Sequence, residues 1–175
     1  MAHENWLQTL AEVAVALAGF SGLLAGIRQR SERQSRINVT RLRTIVETSL
    51  SVLAFSLLPT VLHGFGVSEA RAFRISGFSF LAGFIPLTLN GIYRFRIASG
   101  GSTLSSSPLL VGSYFVAATI LVAAVGCSVG FPRSAVPTLY LVALAGTLAI
   151  GALNFLGFAI GYSDFDSNDE ENAGQ

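Results

Sequence analysis

The chain has 175 residues, of which 51% are hydrophobic and 12% charged, and its mean hydropathy is +0.61. A water-exposed domain carries about 25% charged residues, so a single soluble globule of this size is excluded. The net charge of +1 gives no electrostatic footprint for nucleic acid, and the charges are segregated around long uncharged runs. That segregation predicts an all-α, polytopic integral membrane bundle in contact with the lipid bilayer.

Five apolar segments are long enough to cross a hydrocarbon core, which takes about 20 helical residues. The first covers residues 6–27. Its leader has His3 and Glu4 but no lysine or arginine, and Glu12 interrupts the apolar run, so it reads as a mature helix and not as a cleaved signal. Leu10, Val13, Leu17, Phe20, Leu24 and Ile27 form a bulky stripe on it, while Ala11, Ala14, Ala18, Ser21, Gly22 and Ala25 form a small-residue face. Lipid tails are as apolar as leucine, so packing needs close backbone approach, and the small face is expected to meet protein.

The first loop and its flanks are rich in arginine: Arg28, Arg30, Arg33, Arg36, Arg41 and Arg43. The second span, 42–66, has a kink expected at Pro59 and a polar stripe of Ser49, Ser56, Thr60 and His63. The third, 72–93, repeats Ser76, Gly83 and Asn90 at intervals of seven. A Ser99-Gly100-Gly101-Ser102 loop precedes the fourth span, 108–131, whose Pro108 follows a capping serine, Ser107. The fifth, 137–161, follows a tight connection containing Pro132 and aligns Thr147, Gly151, Asn154 and Gly161. Residues 1–163 thus form one transmembrane domain. The remaining 164–175 are acidic, without bulky side chains after Phe165, and are expected to be a disordered cytoplasmic tail.

Arginine placement sets the expected orientation. Loops one and three with their flanks hold eight arginines (the six above with Arg94 and Arg96), while loops two and four hold three, Arg71, Arg74 and Arg133. Positive charge stays on the cytoplasmic side, so the expectation is N-terminus outside and C-terminus inside, in a prokaryotic plasma membrane. Trp6 and Tyr140 are placed as outer aromatic anchors, Tyr93 and Tyr162 as inner ones.

Ionisable groups at membrane depth are costly and become functional candidates. Glu12 lies about 9 Å below Trp6, and His63 about 5 Å inside its helix end, so their depths allow an outer cluster of Glu12, His63, Arg71 and Arg74. An inner cluster gathers Ser21, Glu47, Asn90 and Asn154, with Arg43 spaced for an ion pair to Glu47. Gly22/Gly26, Gly126/Gly130 and Gly157/Gly161 are Gly-x-x-x-Gly pairs that permit close helix packing.

Catalytic and metal motifs do not assemble. Gly19-Phe20-Ser21-Gly22 is similar to the Gly-x-Ser-Gly of rhomboid intramembrane proteases. A nucleophilic serine needs a base within hydrogen-bond reach. His3 and His63 both sit near the outer surface, and Ser21 misses the level of His63 by roughly 17 Å by helix rise. The six-helix core of that family is missing too, so the resemblance is set aside. There is no His-Glu-x-x-His, no paired cysteine beside Cys127 and no phosphate loop, so no catalytic residue, metal or cofactor is expected. Asn38-Val39-Thr40 fits a glycosylation acceptor by its letters, but an inner loop would not be glycosylated.

The expected function is that of a non-enzymatic membrane protein acting through packing and contacts, with a homo-oligomer or membrane partner. The alternative is a subunit of an oligomeric channel or transporter using Glu12 or Glu47. The arginine loop, from Arg28 to Arg43, is a candidate for anionic lipid.

Overall fold

A computed structural model describes residues 3–28, 36–98, 108–130 and 133–173. The Ser99–Ser102 loop, the Ser107 cap and Pro132 lie outside the described residues, as do Arg30 and Arg33. The described chain is all helix and turn: α1 (Glu4–Arg28), α2 (Arg36–Gly64), α3 (Glu69–Ala98), α4 (Pro108–Val129) and α5 (Val136–Ala173), with a 3₁₀ turn at Arg133–Ala135. The five expected segments are therefore five helices. Four described stretches are long and apolar enough to span a membrane: Glu4–Leu23, Val39–Gly64, Glu69–Arg94 and Val136–Gly157. The described apolar part of α4, Phe115–Val129, is shorter.

The helix ends extend beyond the apolar segments. Helix α2 begins at Arg36, inside the arginine-rich stretch, and α3 runs to Ala98. Apolarity marks where a helix crosses hydrocarbon, whereas arginine continues a helix nearly as well as leucine. Helix α5 likewise continues through 164–173, the acidic stretch whose composition argues for disorder. Extending a formed helix adds a backbone hydrogen bond per residue with no new nucleation cost, so composition alone does not locate its end.

Two glycines do stop helices. Gly66 has φ of 85°, its amide donates to the His63 carbonyl, and Val67 donates to the Leu62 carbonyl. This is a Schellman ending, which a residue without Cβ enters at no steric cost. Gly130, φ 77°, closes α4 similarly, donating to Gly126 and Cys127.

Helices α2 and α5 form the central pair. Helix α2 packs on α1, α3 and α5, and α5 packs additionally on α4, while α1 lies at the edge against α2 and α5. An aromatic seam fills the junction of α2, α3 and α5. Phe80 meets Phe55 edge-on at 5.3 Å and stacks on Phe84 at 5.4 Å, and Phe73 meets Tyr140 edge-on at 5.7 Å. Each such pair contributes about 0.5–1.5 kcal/mol beyond burial.

Tyr140 belongs to this seam and is almost wholly buried, which corrects its reading as an interfacial anchor. Its hydroxyl donates to the Phe55 carbonyl at 2.6 Å. That carbonyl is the one left without a helical donor by Pro59, four residues on, because proline has no N–H. A phenol from α5 thus satisfies the group that α2 cannot satisfy itself.

Candidate functional site

Close backbone approach is confined to a few glycines, and most differ from the motif pairs. A Cβ on Gly146 would stand 2.6 Å from Ile120 Cγ1 on α4; on Gly77, 2.8 Å from Cys127 Sγ; on Gly151, 2.9 Å from Thr48 Oγ1. Gly83 lies under the Phe55 ring. Sequence reasoning passed over Gly77 and Gly146 because no second glycine stands four residues away.

The motif pairs behave differently. Gly130 is a helix stop beside the Arg74 side chain, not a packing position inside a helix. Gly157 makes room for the Arg41 guanidinium, which donates to the Gly157 carbonyl. The side-chain surroundings of Gly161 lie outside the described residues, as do those of Tyr162. Around Gly22 and Gly26, and around Gly19, there is open space.

The small face of α1 is buried at Ala11, Ala14 and Ser21 and half-buried at Ala18, while Val13 and Phe20 of the bulky stripe point outward. Gly22 departs from the expected grouping, being exposed. At 100° per residue Gly22 falls beyond the edge of the arc through Leu7, Ala11, Ala14 and Ala18 that meets the bundle.

The expected outer cluster does not close into one network. Glu12 accepts a hydrogen bond from Gln8 Nε2 at 3.0 Å on the exposed side of α1. His63 places Nδ1 3.0 Å from the Val67 carbonyl at the end of α2. Arg74 lies over Gly130, and Arg71 is exposed. His3 instead packs edge-on against Phe73 with centroids 6.2 Å apart.

The inner residues separate in the same way. Ser21 donates to Ala18 O at 2.8 Å, and Asn154 donates to Ile150 O at 2.9 Å. Asn90 is exposed. Glu47 alone joins two helices: its Oε1 accepts from Arg43 Nε at 2.7 Å and from Arg94 at 2.9 Å. The Arg43 contact was legible from its four-residue spacing; the Arg94 contact, from α3, needed the fold.

Of the hydroxyls in the expected polar stripes, Ser56 and Thr147 are satisfied within their own helices, as are several outside the stripes. Thr48, Ser51, Ser56, Ser128 and Thr147 each donate to a carbonyl three or four residues back. Ser49 Oγ is buried with no partner among the described residues. Among the described residues, no group of three or more histidine, cysteine or carboxylate side chains is placed to hold a metal. The buried Cys127 thiol faces the Phe73 carbonyl at 3.5 Å.

These features define a helical bundle with the length and apolarity of a membrane protein, polar at its ends. Compared with known families, curated proteins and solved structures, the chain matches no family model, no curated protein and no solved structure.

Proposed function

We propose that this chain is a multi-pass protein of a prokaryotic plasma membrane, with five spans, N-terminus outside and C-terminus inside. In this reading it works through contacts with further copies of itself, without chemistry of its own. The observation that carries it is the outward face of α1. Gly19, Gly22 and Gly26 are open there, and the Gln8–Glu12 pair lies on the same side of the helix. Open glycines in a lipid-facing helix have no role in the monomer, whereas they admit a neighbouring backbone closely. Gln8 and Glu12 each keep polar capacity that a symmetry-related copy would satisfy.

The test is oligomeric mass by light scattering in mild detergent and crosslinking in native membranes. Wild type is expected to be oligomeric, and Gly22→Ile with Gly26→Ile to be monomeric yet folded. A wild-type monomer under both conditions refutes the reading.

A second reading rests on the same face. If several copies gather around a common axis through α1, Glu12 lines it and the assembly conducts cations. Glu47 is a weaker candidate because both of its described partners are arginines. Flux into liposomes that is lost in Glu12→Gln supports conduction; no flux from oligomeric wild type ends it.

A further inference from the structure

The Arg43–Glu47–Arg94 cluster ties α2 to α3 through ion-paired side chains. It sits where α2 and α3 approach one end of the bundle. Their spans, Val39–Gly64 and Glu69–Arg94, each contain 26 residues, or about 39 Å of helix against roughly 30 Å of hydrocarbon. The terminal turns therefore reach the headgroup layer, and exposed Tyr93 beside Arg94 is the kind of residue that favours it.

Two guanidinium groups and one carboxylate leave the cluster with a net charge of +1. Glu47 holds both cations on one oxygen atom, which offsets their mutual repulsion and leaves further N–H donors on each guanidinium unused by Glu47. Arg43 is 60% exposed and Arg94 27%. A phosphodiester carries one negative charge and accepts from such forks in matching geometry.

The surface below the cluster fits the rest of a lipid. The Glu47–Arg94 bond and the Phe55–Gly83 contact set the antiparallel register of α2 on α3. Exposed Asn90 lies one turn below Arg94 on the same face. Exposed Ala54 and Pro86 are level with one another, about 10–12 Å below the cluster. The order going inward is thus cationic, then amide, then small and apolar, which is the order of phosphate, ester and acyl chain in a phospholipid.

We infer that the α2/α3 groove binds one membrane phospholipid with a singly charged phosphodiester headgroup, its phosphate on Arg43 and Arg94 and an acyl chain along Ala54 and Pro86. The inference rests on the membrane reading above, and a separate first arm tests that reading: alkaline carbonate must fail to extract the full chain from membranes. Extraction would overturn the membrane reading itself.

The second arm counts lipids retained by the detergent-purified full chain, using native mass spectrometry. The probes are dioleoyl phosphatidylglycerol, phosphatidylcholine and phosphatidic acid. Wild type is expected to keep one phosphatidylglycerol in preference to phosphatidylcholine. Arg43→Gln with Arg94→Gln should lose that preference by roughly five- to thirty-fold. Arg43→Lys with Arg94→Lys should retain most of it, which controls for folding together with unchanged helical circular dichroism. Glu47→Gln raises the cluster to +2 and should move the preference toward the more highly charged phosphatidic acid. Equal retention of phosphatidylglycerol and phosphatidylcholine by wild type overturns the site, as does an undiminished preference in the double glutamine variant. An unchanged order of anionic headgroups in Glu47→Gln overturns the charge-matching argument.

Discussion

Tyr140→Phe is the sharpest probe of the fold. It removes one oxygen atom and leaves the aromatic seam with Phe73 and Phe80 in place. What it breaks is the hydroxyl bond to the Phe55 carbonyl, whose own helical donor is missing at Pro59. Interhelical hydrogen bonds in membranes average about 0.6 kcal/mol and reach about 1.7, because separated helices usually find other partners for the same groups. Here the separated α2 has no amide at position 59 to offer, so the loss should fall near the upper figure, at about 1–1.7 kcal/mol. The measurement is reversible unfolding in mixed micelles for a double-mutant cycle with Pro59→Ala. An alanine at 59 restores an N–H for the Phe55 carbonyl, so Tyr140→Phe should then cost less than about 0.5 kcal/mol. An equal cost in both backgrounds, or none in the wild-type background, would refute the account of why Tyr140 is buried.

Gly146→Ala should lower the thermal midpoint in detergent by an amount corresponding to about 1–3 kcal/mol, because the new methyl meets Ile120 Cγ1 at the contact of α5 with α4. Gly91→Ala, with nothing near its Cβ position, should be neutral or slightly stabilising. The Glu47–Arg94 coupling, measured by a double-mutant cycle, should lie at about 0.2–1 kcal/mol and shrink in high salt, since both side chains are partly exposed. Cys127 should resist maleimide in folded protein and react once the bundle is denatured, as expected of a buried thiol. With Cys127 replaced by alanine, single cysteines at Ser68 and Ser134 should label from outside intact cells, and those at Ser35 and Ser102 should not; the reverse pattern would invert the proposed topology.

The helical, membrane-type character was readable from the amino-acid sequence because it depends on segment length and apolarity, which are local quantities. Pro108 at the start of α4 and the Arg43–Glu47 pair were readable for the same reason. Each involves residues within a turn or two of one another. Helix ends were harder. Polar residues leave the hydrocarbon without ending a helix, so α2 and α3 outrun their apolar cores, and Gly66 and Gly130 stop their helices through backbone geometry.

Only the tertiary arrangement decided which small and polar residues matter. Gly146 and Gly77 carry close contacts because Ile120 and Cys127 face them from α4, whereas the regular Gly22/Gly26 pair faces outward. Spacing shows which residues share a face; it does not show what stands opposite. Tyr140 illustrates the limit best. Its position near a helix end suggests the headgroup layer, yet the unpaired Phe55 carbonyl on α2 and the rings of α3 hold it in the core. Glu47 likewise acquired Arg94 only when α3 folded beside α2. The sequence determined where helices form and what solvent they suit, because those depend on local composition. Partners depend on the register and rotation of helices distant in the chain, and those were decided by packing.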